Sequence, residues 1–84
     1  MMKNEETKMW ITEIYVGWMK EDELSKLVEA LKYCKEHDKD GDFNYKFEGE
    51  TLLILSPTKD KAHRRGMYFH KRFNVYYEVK QISL

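Results

Sequence analysis

The first part of the chain changes from the hydrophobic pattern of a strand to that of a helix. Residues 9–18 are rich in β-branched and aromatic side chains, which favour strands. The acidic residues 21–23 follow, and negative charge is favourable at the N-terminus of a helix. Apolar side chains then recur at steps of three and four residues, which predicts a helix with one apolar stripe. The stripe consists of Leu24, Leu27, Val28, Leu31 and Cys34.

Two strands joined by a tight turn are predicted next. Asp40 and Gly41 supply a turn after the first helix. Aromatic and polar residues then alternate over residues 43–48, which is the period of a half-buried strand. Gly49 permits a hairpin into residues 51–55, which are apolar on both faces and therefore predict a central strand.

The last third of the chain predicts a basic helix followed by a strand. Ser56 and Pro57 suit the N-cap and the first position of a helix. Asn74 ends this helix, and apolar residues alternate over residues 75–79, which predicts the final strand. The apolar face of the helix is narrow and consists of Ala62, Gly66, Phe69 and Phe73.

The predicted order of elements, strand–helix–strand–strand–helix–strand, is that of the split βαβ or ferredoxin-like fold in the α+β class. Right-handed crossovers place both helices on one face of a four-stranded antiparallel sheet and leave the other face open. We therefore expect residues 9–84 to form a single domain behind a flexible N-terminal tail, residues 1–8.

Length and composition narrow the class of protein further. A chain of 84 residues and 10.2 kDa supports one modest core. Its mean hydropathy of −0.79 excludes a membrane span, which needs about 20 consecutive apolar residues. A polar, charged segment opens the chain, so we expect no signal peptide. The single cysteine, Cys34, excludes an internal disulfide and favours a buried structural thiol in a reducing, cytoplasmic location.

Charge is unevenly distributed along the chain. The 15 lysine and arginine residues balance 15 aspartate and glutamate residues. Residues 58–72 nevertheless contain six bases and one acid, so this segment carries +5 and the rest of the chain −5. A concentrated basic element of this kind attracts polyanions or acidic protein surfaces.

Two similar triplets, residues 63–65 and 70–72, lie on the predicted second helix. Each contains a histidine followed by two bases, and the spacing of seven residues stacks equivalent members about 10.5 Å apart. Arginine forks bind phosphate oxygens, and a tyrosine between them can stack on a base. We therefore predict a small non-catalytic protein that binds RNA, or less favourably DNA, without a cofactor. The predicted contacts are Lys59, Lys61, His63, Arg64, Arg65, Tyr68, His70, Lys71 and Arg72.

Two other interpretations of the basic helix stay open. Cations often cover the solvated face of an amphipathic helix, and the acidic first helix can neutralise them. The same surface can instead dock on an acidic or RNA-occupied site of another protein. The short length and the many Lys, Glu, Tyr and Met residues resemble small accessory proteins of large lytic phages, some of which disarm host defence enzymes, including RNA-cleaving toxins. This resemblance implies an inhibitor or antitoxin role.

The hexamer Ile-Tyr-Val-Gly-Trp-Met at residues 14–19 resembles the RNP2 motif of RNA-recognition motifs. The resemblance implies that Tyr15 stacks on a base at the open face of the sheet. The predicted third strand lacks the aromatic residues of the partner motif, and Trp18 stands where the family usually has asparagine. We therefore place nucleic-acid contact on the helix in preference to the sheet.

The open face of the sheet predicts a second surface, because apolar side chains collect there. Ile11, Tyr15 and Tyr76 form a patch with one leucine-containing pair from the third strand, and such patches mark self-association or partner sites. The pair is either Leu53 with Leu55 or Leu52 with Ile54. A homodimer through this face is the corresponding prediction, and cover by the N-terminal tail is the alternative.

Other polar groups predict no metal site and no catalysis. The acidic residues 38–42 have the composition of a calcium loop, but Phe47 occupies the closing position, where glutamate is required, so a surface turn is predicted. The three histidines lack the spacing of a metal site. His63 and His70 are candidates for the acid and base of a ribonuclease, but two helical turns separate them, so we prefer a non-catalytic protein.

Overall fold

A computed structural model describes residues 8–83, and it has the six predicted elements in the predicted order. The predicted tail, residues 1–8, lies outside the described residues except for Lys8, with which the first strand begins. Within residues 8–83, neither helix is long and apolar enough to cross a membrane. The elements are β1 (Lys8–Tyr15), α1 (Glu21–Glu36), β2 (Asn44–Glu48), β3 (Thr51–Ser56), α2 (Lys59–Phe73) and β4 (Tyr77–Ser83).

The four strands form one antiparallel sheet in the order β2-β3-β1-β4, which confirms the ferredoxin-like α+β fold. The predicted central strand β3 pairs with both β1 and β2. Ile14 of β1 lies opposite Leu52 of β3 and Tyr77 of β4. These opposed residues share the face that the helices cover, because directly paired residues of antiparallel strands point to the same side.

The core lies between this face of the sheet and the two helices. Leu27 and Leu31 of α1 pack with Phe69 of α2 in one buried cluster that includes Ile14. Thr12 is also fully buried, and its hydroxyl donates a hydrogen bond of 2.8 Å to the carbonyl of Ala62 in α2. This bond satisfies a buried polar group and ties α2 to the centre of the sheet.

Three residues with positive φ mark the ends of elements, as the sequence predicts. Gly41 (φ 68°) and Gly49 (φ 60°) stand in the turns before β2 and between β2 and β3. Asn74 (φ 58°) is the C-cap of α2, where its amide donates to the carbonyl of His70. Asparagine tolerates this left-handed conformation better than most residues, which explains why the helix ends there.

The predicted N-cap of α2 is wrong by two residues. Ser56 is the last residue of β3, where it pairs with Trp10 and is fully buried. Thr58 is the N-cap, and its side chain accepts a hydrogen bond from the amide of Lys61. Pro57 therefore precedes the helix, because pairing with β1 holds the strand through Ser56.

Two predicted strand boundaries also differ from the structure. β1 ends at Tyr15 instead of residue 18, because residues 16–19 turn, with the amide of Met19 bonded to the carbonyl of Val16. Trp18 is consequently half exposed. β4 begins at Tyr77 instead of Val75, since Val75 is buried in the connection that follows the helix cap.

Candidate nucleic-acid interface on helix α2

Helix α2 presents its apolar residues to the sheet and most of its cations to the outside. Ala62, Gly66 and Phe69 are buried, and the cap Thr58 fixes where the helix begins. The inward orientation of the predicted apolar face is therefore confirmed. The exposed residues of the helix, called here the outer face of α2, are Lys59, Asp60, His63, Arg64, Met67, Tyr68, Lys71 and Arg72.

An acidic loop, residues 38–42, neutralises the N-terminal half of the helix. One carboxylate oxygen of Asp38 accepts hydrogen bonds from the amides of Asp42 (2.5 Å) and Phe43 (2.7 Å), which fixes the path of the loop. The Lys61 ammonium lies 2.6 Å from a carboxylate oxygen of Asp40 and 2.5 Å from one of Asp42. Lys61 is thus engaged within the protein.

Arg65 is the most enclosed cation of the predicted set, with 13% of its side chain exposed. Its Nη2 lies 2.5 Å from Oδ1 of Asp42, and its Nη1 donates to the Ser56 hydroxyl at 2.9 Å. The guanidinium also stacks 5.0 Å from the ring centroid of Phe43. Arg65 and Lys61 both serve this internal network, which leaves them less available to a phosphate than the exposed cations of α2.

Asp42 is the common acceptor of the two engaged cations. Hydrogen bonds from Lys61 and then Arg65 lower the pKa of its carboxyl group, since both favour the ionised form. The carboxylates of the loop thus bind side-chain cations and backbone amides. Among residues 8–83, no group of three His, Cys, Asp or Glu side chains is placed to hold a metal ion.

The remaining cations of α2 have weaker partners or none within the described chain. Arg64 forms an ion pair of 2.5 Å with Asp60, but both side chains are more than two-thirds exposed, so water and salt screen the attraction. The Lys59 ammonium lies 5.7 Å from the Trp10 ring centroid. Within residues 8–83, neither Lys71 nor Arg72 forms an ion pair.

Tyr68 lies beside a groove between the two helices, at the edge of the outer face of α2. Tyr68 is 37% exposed, and its ring meets the Phe69 ring edge-on with centroids 4.9 Å apart. Burial raises the pKa of Tyr68 and of the Cys34 thiol, because it disfavours the charged form of each group. Cys34 is only half-buried, which corrects the predicted buried thiol.

This α1–α2 groove has a volume of about 770 Å³ and was not predicted from the sequence. Arg72 stands at its rim, with its guanidinium carbon 5.9 Å from the ring centroids of both Tyr68 and Phe73. The groove therefore combines aromatic rings with a cation on one side of the molecule. Its lining residues are Lys26, Glu29, Ala30, Tyr33, Tyr68, Arg72 and Phe73.

The two histidines of α2 lie on the edge of the helix that faces β4, away from the α1–α2 groove. Both contact the ring of Tyr77, with centroid distances of 6.0 Å for His63 and 6.5 Å for His70. Nδ1 of His70 lies 2.6 Å from the carbonyl oxygen of Val75. This nitrogen must carry the proton, because a carbonyl only accepts, so His70 helps to hold the connection after α2.

The open face of the sheet carries the predicted patch, although charges divide it. The two residues that β3 contributes to the patch are Leu53 and Leu55. They lie opposite Glu13 and Ile11, which are on the open face of β1. Leu53 is 7% exposed, and the ion pair between Glu13 and Lys80 (3.3 Å) lies next to it on this face. The homodimer through this face stays a prediction.

The RNP2-like hexamer does not form one strand. Of residues 14–19, only Ile14 and Tyr15 belong to β1, and the rest form the turn before α1. Tyr15 is 55% exposed on the open face, and its hydroxyl donates to the Glu50 carboxylate at 3.1 Å. This hydrogen bond raises the pKa of Tyr15. A carboxylate beside this ring is unfavourable for a base that carries a phosphate.

Comparison of the chain with protein-family models, with curated proteins and with solved structures gives no match. The geometry of α2 and of the α1–α2 groove is therefore the basis for the proposed function.

Proposed function

We propose that the protein binds the phosphate backbone of RNA, or less favourably DNA, through the outer face of α2, with its main contacts near the C-terminal end of the helix. Lys71 and Arg72 are exposed and have no carboxylate partner within residues 8–83, and this observation carries the proposal. Arg64 joins them when a phosphate replaces the screened Asp60 carboxylate. A cytoplasmic location is part of the proposal, since Cys34 is unpaired.

The number of available cations sets the expected strength of binding. Lys59, Arg64, Lys71 and Arg72 supply three or four phosphate contacts. The slope of log K against log salt should then be about −2 to −3 for a single strand. Binding of this kind is sequence-independent and is lost at high salt.

A pair of charge reversals tests where the polyanion binds. Lys71→Glu places a negative charge on the outer face of α2, and Lys46→Glu makes the same change on the opposite side of the sheet. At low salt, we expect Lys71→Glu to weaken the binding of a labelled single-stranded RNA roughly tenfold, and Lys46→Glu to change it little. Equal losses in the two variants would contradict the proposed site, and a wild-type protein that binds no RNA would contradict the function.

A second candidate is a protein inhibitor or adaptor, such as a phage-encoded inhibitor of an RNA-cleaving toxin. Met67 is 43% exposed among the cations of the outer face of α2, beside Tyr68, and protein interfaces are enriched in Met, Tyr and Arg. A partner that co-purifies through this face after RNase treatment favours the inhibitor. A partner that is released by RNase favours RNA as the bridge.

Two further predictions about function need their own measurements. The protein is proposed to be non-catalytic, and cleavage of labelled RNA that disappears in a His63→Ala/His70→Ala variant would contradict this.

A homodimer through the open face of the sheet is expected to dissociate when Leu55 is replaced by Lys, as measured by sedimentation equilibrium. A monomeric wild-type protein would contradict the homodimer.

A further inference from the structure

We propose that the α1–α2 groove takes an unpaired base of a single-stranded nucleic acid, an inference that rests on the proposed function. The groove opens directly beside Arg72, which the proposed function assigns to a phosphate. Its volume of about 770 Å³ lies within the range of sites that hold small organic ligands. A base attached to a phosphate at Arg72 is therefore close enough to enter it.

Two tyrosines supply stacking surfaces in the groove. Tyr33 of α1 is 58% exposed, and its ring stacks on His37 with centroids 4.1 Å apart and an interplanar angle of 28°. This contact holds the exposed ring in place before a ligand arrives. Tyr68 on the opposite helix is held against Phe69. Every base has a π-face, so stacking here tolerates any sequence.

Charge at the rim also favours a nucleotide. Lys26 and Arg72 line the groove with one acid, Glu29, and Lys71 lies next to Arg72 on the exposed side of α2. Arg72 is kept near the groove because its guanidinium lies over the rings of two lining residues. The acidic side chains of a peptide satisfy the cations but carry no flat ring. A nucleotide joins a phosphate and a flat ring in one unit, so it uses both the cations and the tyrosines of the site.

This arrangement predicts a preference for single strands over duplexes. A base in a duplex must first unpair and unstack before it can reach the groove, whereas a base in a single strand is already available. A duplex therefore contacts only the cations of the outer face of α2.

Binding of three labelled polyanions of equal length to the wild-type protein and to Tyr33→Ala tests the inference. The polyanions are single-stranded oligoadenylate, an abasic ribose-phosphate strand and an RNA duplex. We expect Tyr33→Ala to weaken oligoadenylate binding about 5- to 100-fold and to leave the abasic strand and the duplex unchanged. Tyr33→Phe should retain the affinity for oligoadenylate, because the ring is kept. Trp18→Ala is the control, since Trp18 is half exposed in the turn before α1 and lies outside the groove.

The possible outcomes separate this inference from the proposed function. If the wild-type protein binds all three polyanions equally, or if Tyr33→Ala has no effect on oligoadenylate, the cation site stands and the base site is wrong. If no polyanion binds, both proposals are wrong. If oligoglutamate of equal charge binds as tightly as oligoadenylate and depends equally on Tyr33, the groove is a peptide site instead.

Discussion

Arg64 and Arg65 are neighbours in the chain, but their surroundings give them different roles. Arg65 donates to Asp42 and to the buried hydroxyl of Ser56, and its side chain is 13% exposed. Within residues 8–83, the one ion-pair partner of Arg64 is the exposed Asp60, and the Arg64 side chain is 76% exposed. Arg65 connects α2 with the acidic loop and with β3, so it adds to the stability of the fold. Arg64 is exposed, so it is available to a ligand.

Replacing each arginine with methionine should separate these roles. Arg65→Met leaves the Ser56 hydroxyl and one oxygen of Asp42 without a donor, so we expect a loss of about 1–3 kcal/mol in the free energy of unfolding. Arg64→Met should change it by no more than about 0.5 kcal/mol. Urea unfolding at neutral pH measures both values. Equal losses of unfolding free energy would show that the contacts of Arg65 with Asp42 and Ser56 add no more stability than the exposed ion pair of Arg64.

Acid should weaken the contact between the acidic loop and α2. In the folded protein, hydrogen bonds from Lys61 and then from Arg65 lower the pKa of Asp42 below its ordinary value of 3.8. Between the lowered pKa and 3.8 the unfolded chain binds more protons than the folded one. The stabilisation by Asp42 is therefore present above pH 3.8 and is lost as the pH falls through the lower, folded value.

The urea midpoint of the wild-type protein should accordingly fall more steeply than that of Asp42→Asn between about pH 5 and about pH 2. The two proteins differ only at residue 42, so the difference between the two curves isolates Asp42. Parallel curves would mean that the ionised Asp42 contributes no stability.

At the scale of whole elements, Gly66 shows how closely α2 approaches the sheet. Replacing glycine with alanine inside a helix normally stabilises it by about 1 kcal/mol. A Cβ atom at position 66, however, would overlap the ring of Tyr77 on β4. We therefore expect Gly66→Ala to destabilise the protein by about 1–3 kcal/mol, because the ring or the helix must shift.

The Tyr77→Ala background provides the control for this substitution. With the ring removed, Gly66→Ala should become stabilising by about 1 kcal/mol, so its effect changes sign. The two urea midpoints in each background give the coupling directly. A stabilising effect in the wild-type background would contradict the close approach of α2 to β4.

Periodicity predicted the elements of this fold because each element follows one local repeat. The alternation at residues 43–48 and the spacing of three and four in both helices depend only on which face is buried. The boundaries were less predictable, because pairing with distant residues decides them. Ser56 suits an N-cap, but its pairing with Trp10 keeps it in β3, and Thr58 takes that role.

For the molecule as a whole, the sequence predicted which face of α2 carries the cations. It did not predict which of these cations are paired with acids and which are available to a ligand. Helical periodicity correctly put the buried face at Phe69 and the cations elsewhere. Lys61 and Arg65 meet acids that are 19 to 27 residues away in the chain, and a local sequence pattern cannot predict such a contact. The contribution of Tyr33 to the groove was missed for the same reason, since it requires α1 to lie beside α2.

The division of charge between paired and unpaired cations leads to a test by gain of binding. Asp60→Asn removes the only carboxylate that pairs with Arg64 in the described part of the chain. One more cation then becomes available on the outer face of α2, beside Lys71. We expect tighter binding of single-stranded RNA and a slope of log K against log salt that is steeper by about 0.7.

Glu78→Gln makes the same change in net charge on the open face of the sheet, so it controls for the overall charge of the molecule. Affinities measured by fluorescence anisotropy over a series of salt concentrations should show the steeper slope for Asp60→Asn alone. If both variants gain affinity equally, binding depends on the net charge of the molecule and not on the placement of the charge at α2. If neither slope changes, the removal of Asp60 adds no phosphate contact, which contradicts the expected gain at Arg64.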